Sequence, residues 1–347
     1  SEGNPSSIHS FGQKARQKLI QARGDIASYL GVRPHEIIFT SGGTEGVNIL
    51  LQGLFIPGSS GHIITSNIEH SCVFSSVKKL EKNGLHSTFL ETGMLGAVTP
   101  EAVKQALRPD TRLITLMAVN NETGVKTDLE AIAVIAQEHK IPFFVDAVAL
   151  MGKEEFKIPP GVTAMAFSGH KFHAPKGIGF LVARSSLKLA PLIIGGDQEF
   201  GRRAGTENLS GIVGMSTAIE LLRTELPSAS KRMEELRNIF EKELMRQIPG
   251  VSINGQGPRV VNTSNLAFQG VEGETLLTAL DLAGIAVSHG SACSSGALEP
   301  SRILLNMGCS KEVAGSSMRF SLSRFTTLQE IEICIETIVK VVLKLRH

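Results

Sequence analysis

Pro142-Phe143-Phe144-Val145-Asp146, and further on Ala164-Met165-Ala166-Phe167-Ser168-Gly169-His170-Lys171, hold the reading that decides the fold. Each is a short apolar run that ends in polar residues. Runs this short, rich in Phe and Val, read as strands covered on both faces. The chain around them keeps the same rhythm. Upstream, an amphipathic helix over 14–30 stops at Gly31, and Glu36-Ile37-Ile38-Phe39-Thr40 reads as a strand. The turn Ser41-Gly42-Gly43-Thr44 leads into a helix through Leu51. His62 to Thr65 is a strand and Ser71 to Leu80 a helix; Arg112 to Ala118 is a strand and Leu129 to His139 a helix. Ile178 to Val182 adds one more strand. Apolar strands alternating with amphipathic helices predict an α/β fold with a mainly parallel sheet covered by helices.

Past Leu226-Pro227 the pattern changes, and the expected helix ends there. Arg232 to Gln247 reads as a separate polar amphipathic helix. Strands at Ser264–Phe268 and Arg319–Leu322 frame a helix near Glu274–Leu282, and Thr327-Leu328-Gln329-Glu330 is a capping box for a last helix. The expected organisation is a large domain over 1–227 and a smaller α+β domain over 228–347.

The bulk numbers exclude several classes. The chain has 347 residues, enough for a large core, and a formal net charge of +2, so no broad basic field awaits nucleic acid. No apolar run is long enough to span a bilayer. The four cysteines, Cys72, Cys293, Cys309 and Cys334, form no CxxC and no zinc spacing, which points to a reduced, cytoplasmic setting. His170 and His173 lack a nearby carboxylate or thiol partner, so no metal site is expected. The start, Ser1-Glu2-Gly3, carries no targeting signal and reads as trimmed.

The chemistry sits at strand ends. Asp146 ends one strand, and Lys171 follows another with Ser168 and His170 beside it. A lysine amine that forms a Schiff base, and a carboxylate that keeps a proton on a pyridine nitrogen, are what pyridoxal phosphate chemistry requires. Burial would make that amine reactive. Ser41-Gly42-Gly43-Thr44 joins a strand to a helix, where free N–H groups can hold an anion, or where Thr44 simply caps the helix. His70 could stack on a cofactor ring or stand in solvent. Asn120 and Asn121 could bind a carboxylate or build a turn. Arg319 has the planar fork that suits a substrate carboxylate; an ordinary salt bridge is the alternative. Cys293 lies in His289-Gly290-Ser291-Ala292-Cys293-Ser294-Ser295-Gly296, among small residues that leave a thiol accessible for nucleophilic chemistry. Cys309 and Cys334 read as structural, and Cys72 fits neither description clearly.

As an ordered set, these segments resemble the cysteine desulfurases of the NifS and IscS group. The resemblance runs over essentially the whole chain. It is carried by Thr40-Ser-Gly-Gly-Thr-Glu45, Glu69-His70, Val119-Asn-Asn-Glu122, Val145-Asp-Ala147, Ser168-Gly-His-Lys-Phe172, Arg203-Ala-Gly-Thr206, Gly290-Ser-Ala-Cys-Ser-Ser295, Leu298-Glu-Pro-Ser301 and Ser317-Met-Arg-Phe-Ser321. It implies the aspartate-aminotransferase-like fold of pyridoxal 5'-phosphate enzymes and a homodimer. Lys171 then corresponds to the Schiff-base lysine, Asp146 to the partner of the pyridine nitrogen, and His70 to the residue stacked on the ring. Gly43, Thr44, Ser168 and His170 would hold the phosphate, with Thr206 reaching in from the other subunit. Asn121, placed beside the cofactor, and Arg319 would fix the carboxylate of L-cysteine. Cys293 would take the sulfur as a persulfide, leaving alanine, for delivery to an acceptor such as an iron–sulfur scaffold.

Two departures stand out. The family usually carries Gln three residues after the aspartate, where this chain has Ala149. It also usually begins with an Asn-Asn-Ala-Thr-Thr segment upstream of Gly3-Asn4-Pro5. The residues therefore leave three readings open: a desulfurase, a selenocysteine lyase or other pyridoxal phosphate enzyme of this fold, and a degenerate cofactor-binding protein in sulfur trafficking.

Overall fold

A computed structural model describes residues 3–290 and 299–346. The chain divides into two compact units. The first comprises Ser1–Leu90, Thr99–Ala118 and Thr127–Leu226; the second comprises Glu91–Val98, Val119–Lys126 and Pro227–His347.

The first unit is built on a seven-stranded sheet of β1 (Ile37–Thr40), β2 (His62–Ser66), β3 (His86–Leu90), β4 (Thr111–Met117), β5 (Phe143–Asp146), β6 (Ala164–Ser168) and β7 (Gly179–Ala183). Their order is β1-β7-β6-β5-β4-β2-β3. β7 runs antiparallel to β1 and β6, and every other pairing is parallel. The other six strands therefore point the same way, and their C-terminal ends share one edge. All residues of β1, β2, β5, β6 and β7 are buried. That pattern is the reason these segments read as continuous apolar runs. β3 escapes a sequence reading because it is a half-exposed edge strand, and His86-Ser87-Thr88 carries no apolar signal.

The helices of this unit are α1 (Ser10–Leu30), α2 (Gly43–Leu54), α3 (Ser71–Lys82), α4 (Pro100–Ala106) and α5 (Leu129–Glu138). α1 begins ahead of the expected start at residue 14, because His9 Nδ1 caps it by accepting from Gly12 N–H at 3.2 Å. The sequence reading also expected a helix end at Leu226-Pro227. Instead α6 (Leu209–Gln247) is one helix of 39 residues with Pro227 inside it. A proline removes one backbone bond and strains the preceding turn. Here burial of Leu222, Leu226, Ala229 and Met233, spaced along one helical face, offsets that loss.

The second unit has a four-stranded antiparallel sheet, ordered β10-β11-β9-β8, from β8 (Val251–Ile253), β9 (Thr263–Phe268), β10 (Ser288–His289) and β11 (Ser317–Ser321). α7 (Gly273–Leu282), α8 (Arg302–Asn306), α9 (Lys311–Gly315) and α10 (Leu328–Leu345) complete it. Phe240, Leu266, Phe268, Met318, Phe320 and Ile338 lie in its core. The capping box forms: Glu330 N–H donates to Thr327 Oγ1 at 3.2 Å, and Thr327 N–H to Glu330 Oε2 at 2.8 Å. Residues 119–126 form a small antiparallel excursion, with bridges Val119–Lys126 and Val125–Arg259. Among the described residues, no helix is long and apolar enough to cross a membrane.

Candidate active site

In the first unit, the shared strand edge gathers the chemistry. Asp146 is the last residue of β5 and is almost wholly buried. Its backbone is pinned on one side by Ala118 N–H, which donates to Asp146 O at 2.8 Å. Val148 N–H donates to its Oδ1 at 3.0 Å. Burial pushes the Asp146 carboxyl above the usual aspartate range, while the Val148 hydrogen bond and the charges of His70 and Lys171 pull it back. A buried carboxylate of this kind is stabilised by a cation placed against it. A protonated pyridine nitrogen would be such a cation.

Lys171 follows β6 in a short 3-10 turn, Gly169–Phe172, that His173 closes in the left-handed conformation at φ 68°. The side chain is exposed, where the sequence reading expected burial. The turn carries Lys171 beyond the end of β6. Its carbonyl accepts from Lys153 Nζ at 2.8 Å.

The anion cradle is also built from strand ends. α2 starts at Gly43 with Gly42 as N-cap, and no side chain caps it. The N–H groups of its first turn are thus available to an anion, with the helix dipole behind them. Thr44 is exposed on that turn and does not serve as the cap. A Cβ on Gly43 would fall 2.4 Å from Val148 Cγ2, so only glycine lets α2 sit this close to the turn after Asp146. Ser168 Oγ and His170 Nδ1 lie 3.1 Å apart beside it. Partial burial holds the His170 imidazole below its usual value, and Lys171 and Lys176 act in the same direction. Main-chain amides, a hydroxyl, an imidazole and nearby ammonium groups form a donor set that fits a phosphate. With the buried Asp146 and the Lys171 amine, the residues of this unit fit pyridoxal phosphate.

His70 is the N-cap of α3: its Nδ1 accepts from Cys72 N–H at 3.2 Å. The preceding Glu69 is wholly buried. Ser66 Oγ donates to its Oε1 at 2.6 Å, and Met117 N–H donates to the same oxygen at 3.1 Å. Glu69 thereby ties the loop before α3 to the ends of β2 and β4, and sets where His70 stands. The sequence does not mark this role for Glu69, because its partner Met117 comes from a strand distant in sequence. Cys72 stands in the same place, its Sγ 3.0 Å from His70 Nδ1. Ala149 is half-buried in the turn that follows Asp146.

Thr206 is exposed in the first unit. In the same segment Arg203 Nε donates to Glu45 Oε1 at 2.8 Å, and Ser41 N–H to Glu45 Oε2 at 2.8 Å. This ion pair links the 203–206 segment to the first turn of α2, and the sequence reading did not foresee it.

The second unit holds Asn121 and Arg319 together. Arg319, in the middle of β11, donates from Nη1 to Asn121 O at 2.8 Å and from Nη2 to Ser288 Oγ at 2.9 Å. Asn121 Oδ1 is buried and has no hydrogen-bond partner among the described residues, so it is open to a hydrogen-bond donor brought to it. Next to it Glu122 is buried, and Ser301 Oγ donates to its Oε2. Burial pushes the Glu122 carboxyl up, opposed by the Ser301 hydrogen bond and by Arg319. Cys293 lies outside the described residues. No group of His, Cys, Asp and Glu that could hold a metal occurs among the described residues.

Comparison with known proteins places these segments in a wider set. The model of the aminotransferase class-V family matches residues 1–334. The chain is 43% identical over 348 residues to the cysteine desulfurase IscS of Dictyoglomus turgidum, covering 99% of this chain and 88% of that protein. It is 42% identical over 347 residues to cysteine desulfurase 2 of Trichormus variabilis, covering 99% and 87%. Its fold is similar to a solved NifS-like protein, with a TM-score of 0.91, 34% identity, and coverage of 99% of this chain and 92% of that one.

Proposed function

We propose how this chain, which belongs to the aminotransferase class-V family, divides the work of a cysteine desulfurase among its own residues. The protein is a pyridoxal-phosphate-dependent cysteine desulfurase. The observation that carries the residue assignment is the buried Asp146, set on the strand edge close to Lys171 and His70, beside the uncapped start of α2.

When bound, the cofactor supplies an aldehyde that joins amines and a ring that draws electrons from the substrate carbon. Lys171 provides the amine that carries it. Asp146 holds the proton on the ring nitrogen. The N–H groups at Gly43 and Thr44, with Ser168 and His170, bind the phosphate, and Thr206 does so from the second subunit of a homodimer. His70 lies against the ring. Asn121, through its side-chain NH2, and Arg319 orient the substrate carboxylate, while the buried Asn121 Oδ1 is placed to accept from an N–H or O–H donor.

Cys293 is the sulfur acceptor. Its thiolate attacks the sulfur of L-cysteine; a sulfur–sulfur bond forms as the carbon–sulfur bond breaks, and the carbon keeps the electron pair and takes a proton to become alanine. The other three cysteines support this choice. Burial pushes Cys72 up to about 12, Cys334 up to about 11, and Cys309 upward as well, so each stays a thiol at neutral pH. A thiol is a poor nucleophile beside a thiolate.

The persulfide would then pass to an acceptor protein, such as an iron–sulfur scaffold, in the cytoplasm. Peptide mass spectrometry after incubation with L-cysteine tests the core of the assignment. A mass gain of one sulfur is expected on Cys293. Alanine release at the parent rate by Cys293→Ala would overturn it, and activity retained on selenocysteine alone would favour a lyase.

A further inference from the structure

The reaction just assigned leaves one thiol of the cofactor half unused. Cys72 Sγ stands 3.0 Å from His70 Nδ1, and Cys72 N–H donates to that same nitrogen at 3.2 Å. Thr44, in the first turn of α2, acts on the same thiol and draws it down against the effect of burial. A ring nitrogen that accepts from an N–H has its lone pair engaged and carries no hydrogen. The neutral imidazole must then bear its proton on Nε2. The sulfur faces the same lone pair and has only its S–H to offer it. Burial, reinforced by Asp146 and Glu69, keeps that hydrogen on the sulfur. Two donors from one residue thus converge on Nδ1.

We propose that Cys72 is a positioning residue whose S–H and N–H together hold His70 in the tautomer protonated on Nε2, so that the ring offers a proton at Nε2 and no lone pair there. The functional meaning rests on the desulfurase reading; the tautomer does not.

The test is the pair of ring-nitrogen NMR shifts of His70 in histidine-15N-labelled holoenzyme, assigned by their disappearance in His70→Gln. In the parent, Nδ1 is expected at the position of an unprotonated, hydrogen-bonded nitrogen and Nε2 at that of a protonated one. Cys72→Ala keeps the backbone N–H donor and loses the S–H, so Nδ1 should stay unprotonated but move part of the way toward the unbonded position, and Cys72→Ser, which restores a side-chain donor, should bring it back. Turnover should fall about three- to tenfold in Cys72→Ala at unchanged KM and recover in Cys72→Ser. A protonated Nδ1 in the parent, or an Nδ1 resonance unmoved by Cys72→Ala, overturns the proposal. Should Cys72→Ala fail to fold, the serine variant decides, because its Nδ1 must remain unprotonated and bonded. Alanine formation by the parent, measured on the same samples, tests the desulfurase reading separately.

Discussion

At the residue scale, the site depends on charges placed where water is scarce. Asp146 is buried with its folded pKa raised, so in the cofactor-free protein its ionised form is a cost. Between the ordinary aspartate value and the raised one, the native state binds more protons than the unfolded state. Stability of the cofactor-free protein therefore falls as pH rises through that window. Cofactor-free Asp146→Asn should melt about 2 °C or more above the parent at pH 7, and the gap should close below the ordinary aspartate value. Cofactor binding should reverse the order, since only the carboxylate gains from a protonated ring. Calorimetry of both forms checks this, and a cofactor-free variant that melts below the parent at pH 7 would count against the raised value. Turnover of the same variant should drop on the order of 100-fold or more. Lys171→Ala should lose turnover almost completely and leave no cofactor fixed by borohydride reduction; a reduced adduct on another lysine would refute the assignment. Asp146 and Lys171 were readable in the sequence because each ends or follows an apolar run. Glu69 and Cys72 had no such mark, as their roles come from partners that the fold brings to them.

At the element scale, the start of α2 and the turn after β5 must touch. Gly43 makes that possible, with Val148 Cγ2 only 2.4 Å from where a Cβ would stand. Gly43→Ala should weaken cofactor binding about tenfold or more, as overpacking costs about 1–3 kcal/mol. Val148→Ala in the same chain should restore most of it, and a fluorescence titration of the two variants would show whether the coupling exists. Pro227 poses the opposite case. It lies inside α6, where alanine would restore a backbone hydrogen bond. Pro227→Ala should raise stability by about 1–3 kcal/mol in denaturant unfolding; no change would mean that the turn around residue 227 is already relaxed. The sequence reading ended a helix there because proline is a local breaker, and the burial that carries the helix through is not local information.

For the whole molecule, the buried pair Arg23–Glu199 shows how distant pieces of the first unit are held. Arg23 Nη2 donates to Glu199 Oε1 at 2.6 Å and Arg23 Nη1 to Ile37 O at 2.7 Å, while Phe39 N–H donates to Glu199 Oε2 at 2.9 Å. One carboxylate thus joins α1, β1 and the turn at 198–201. Glu199→Ala should cost about 3–5 kcal/mol in unfolding experiments, since it leaves a buried guanidinium without its charge partner; a loss under about 1 kcal/mol would show that water replaces the carboxylate. Six of the seven strands of the large sheet and most of its helices were legible from the chain, because strand and helix periods, apolar runs and turn residues act over a few positions; β3 was not, for want of an apolar run. Segments 91–98 and 119–126 belong to the second unit although the chain around them belongs to the first, and no local pattern marks that change. The amino-acid order by itself marked the apolar strands of the large sheet and the polar residues, Asp146 and Lys171 among them, that end or follow them. Only the tertiary structure decided that Glu69 anchors the loop of His70, that Cys72 donates to its ring, and that Asn121 meets Arg319, because each contact joins groups whose proximity depends on how strands pair and helices pack.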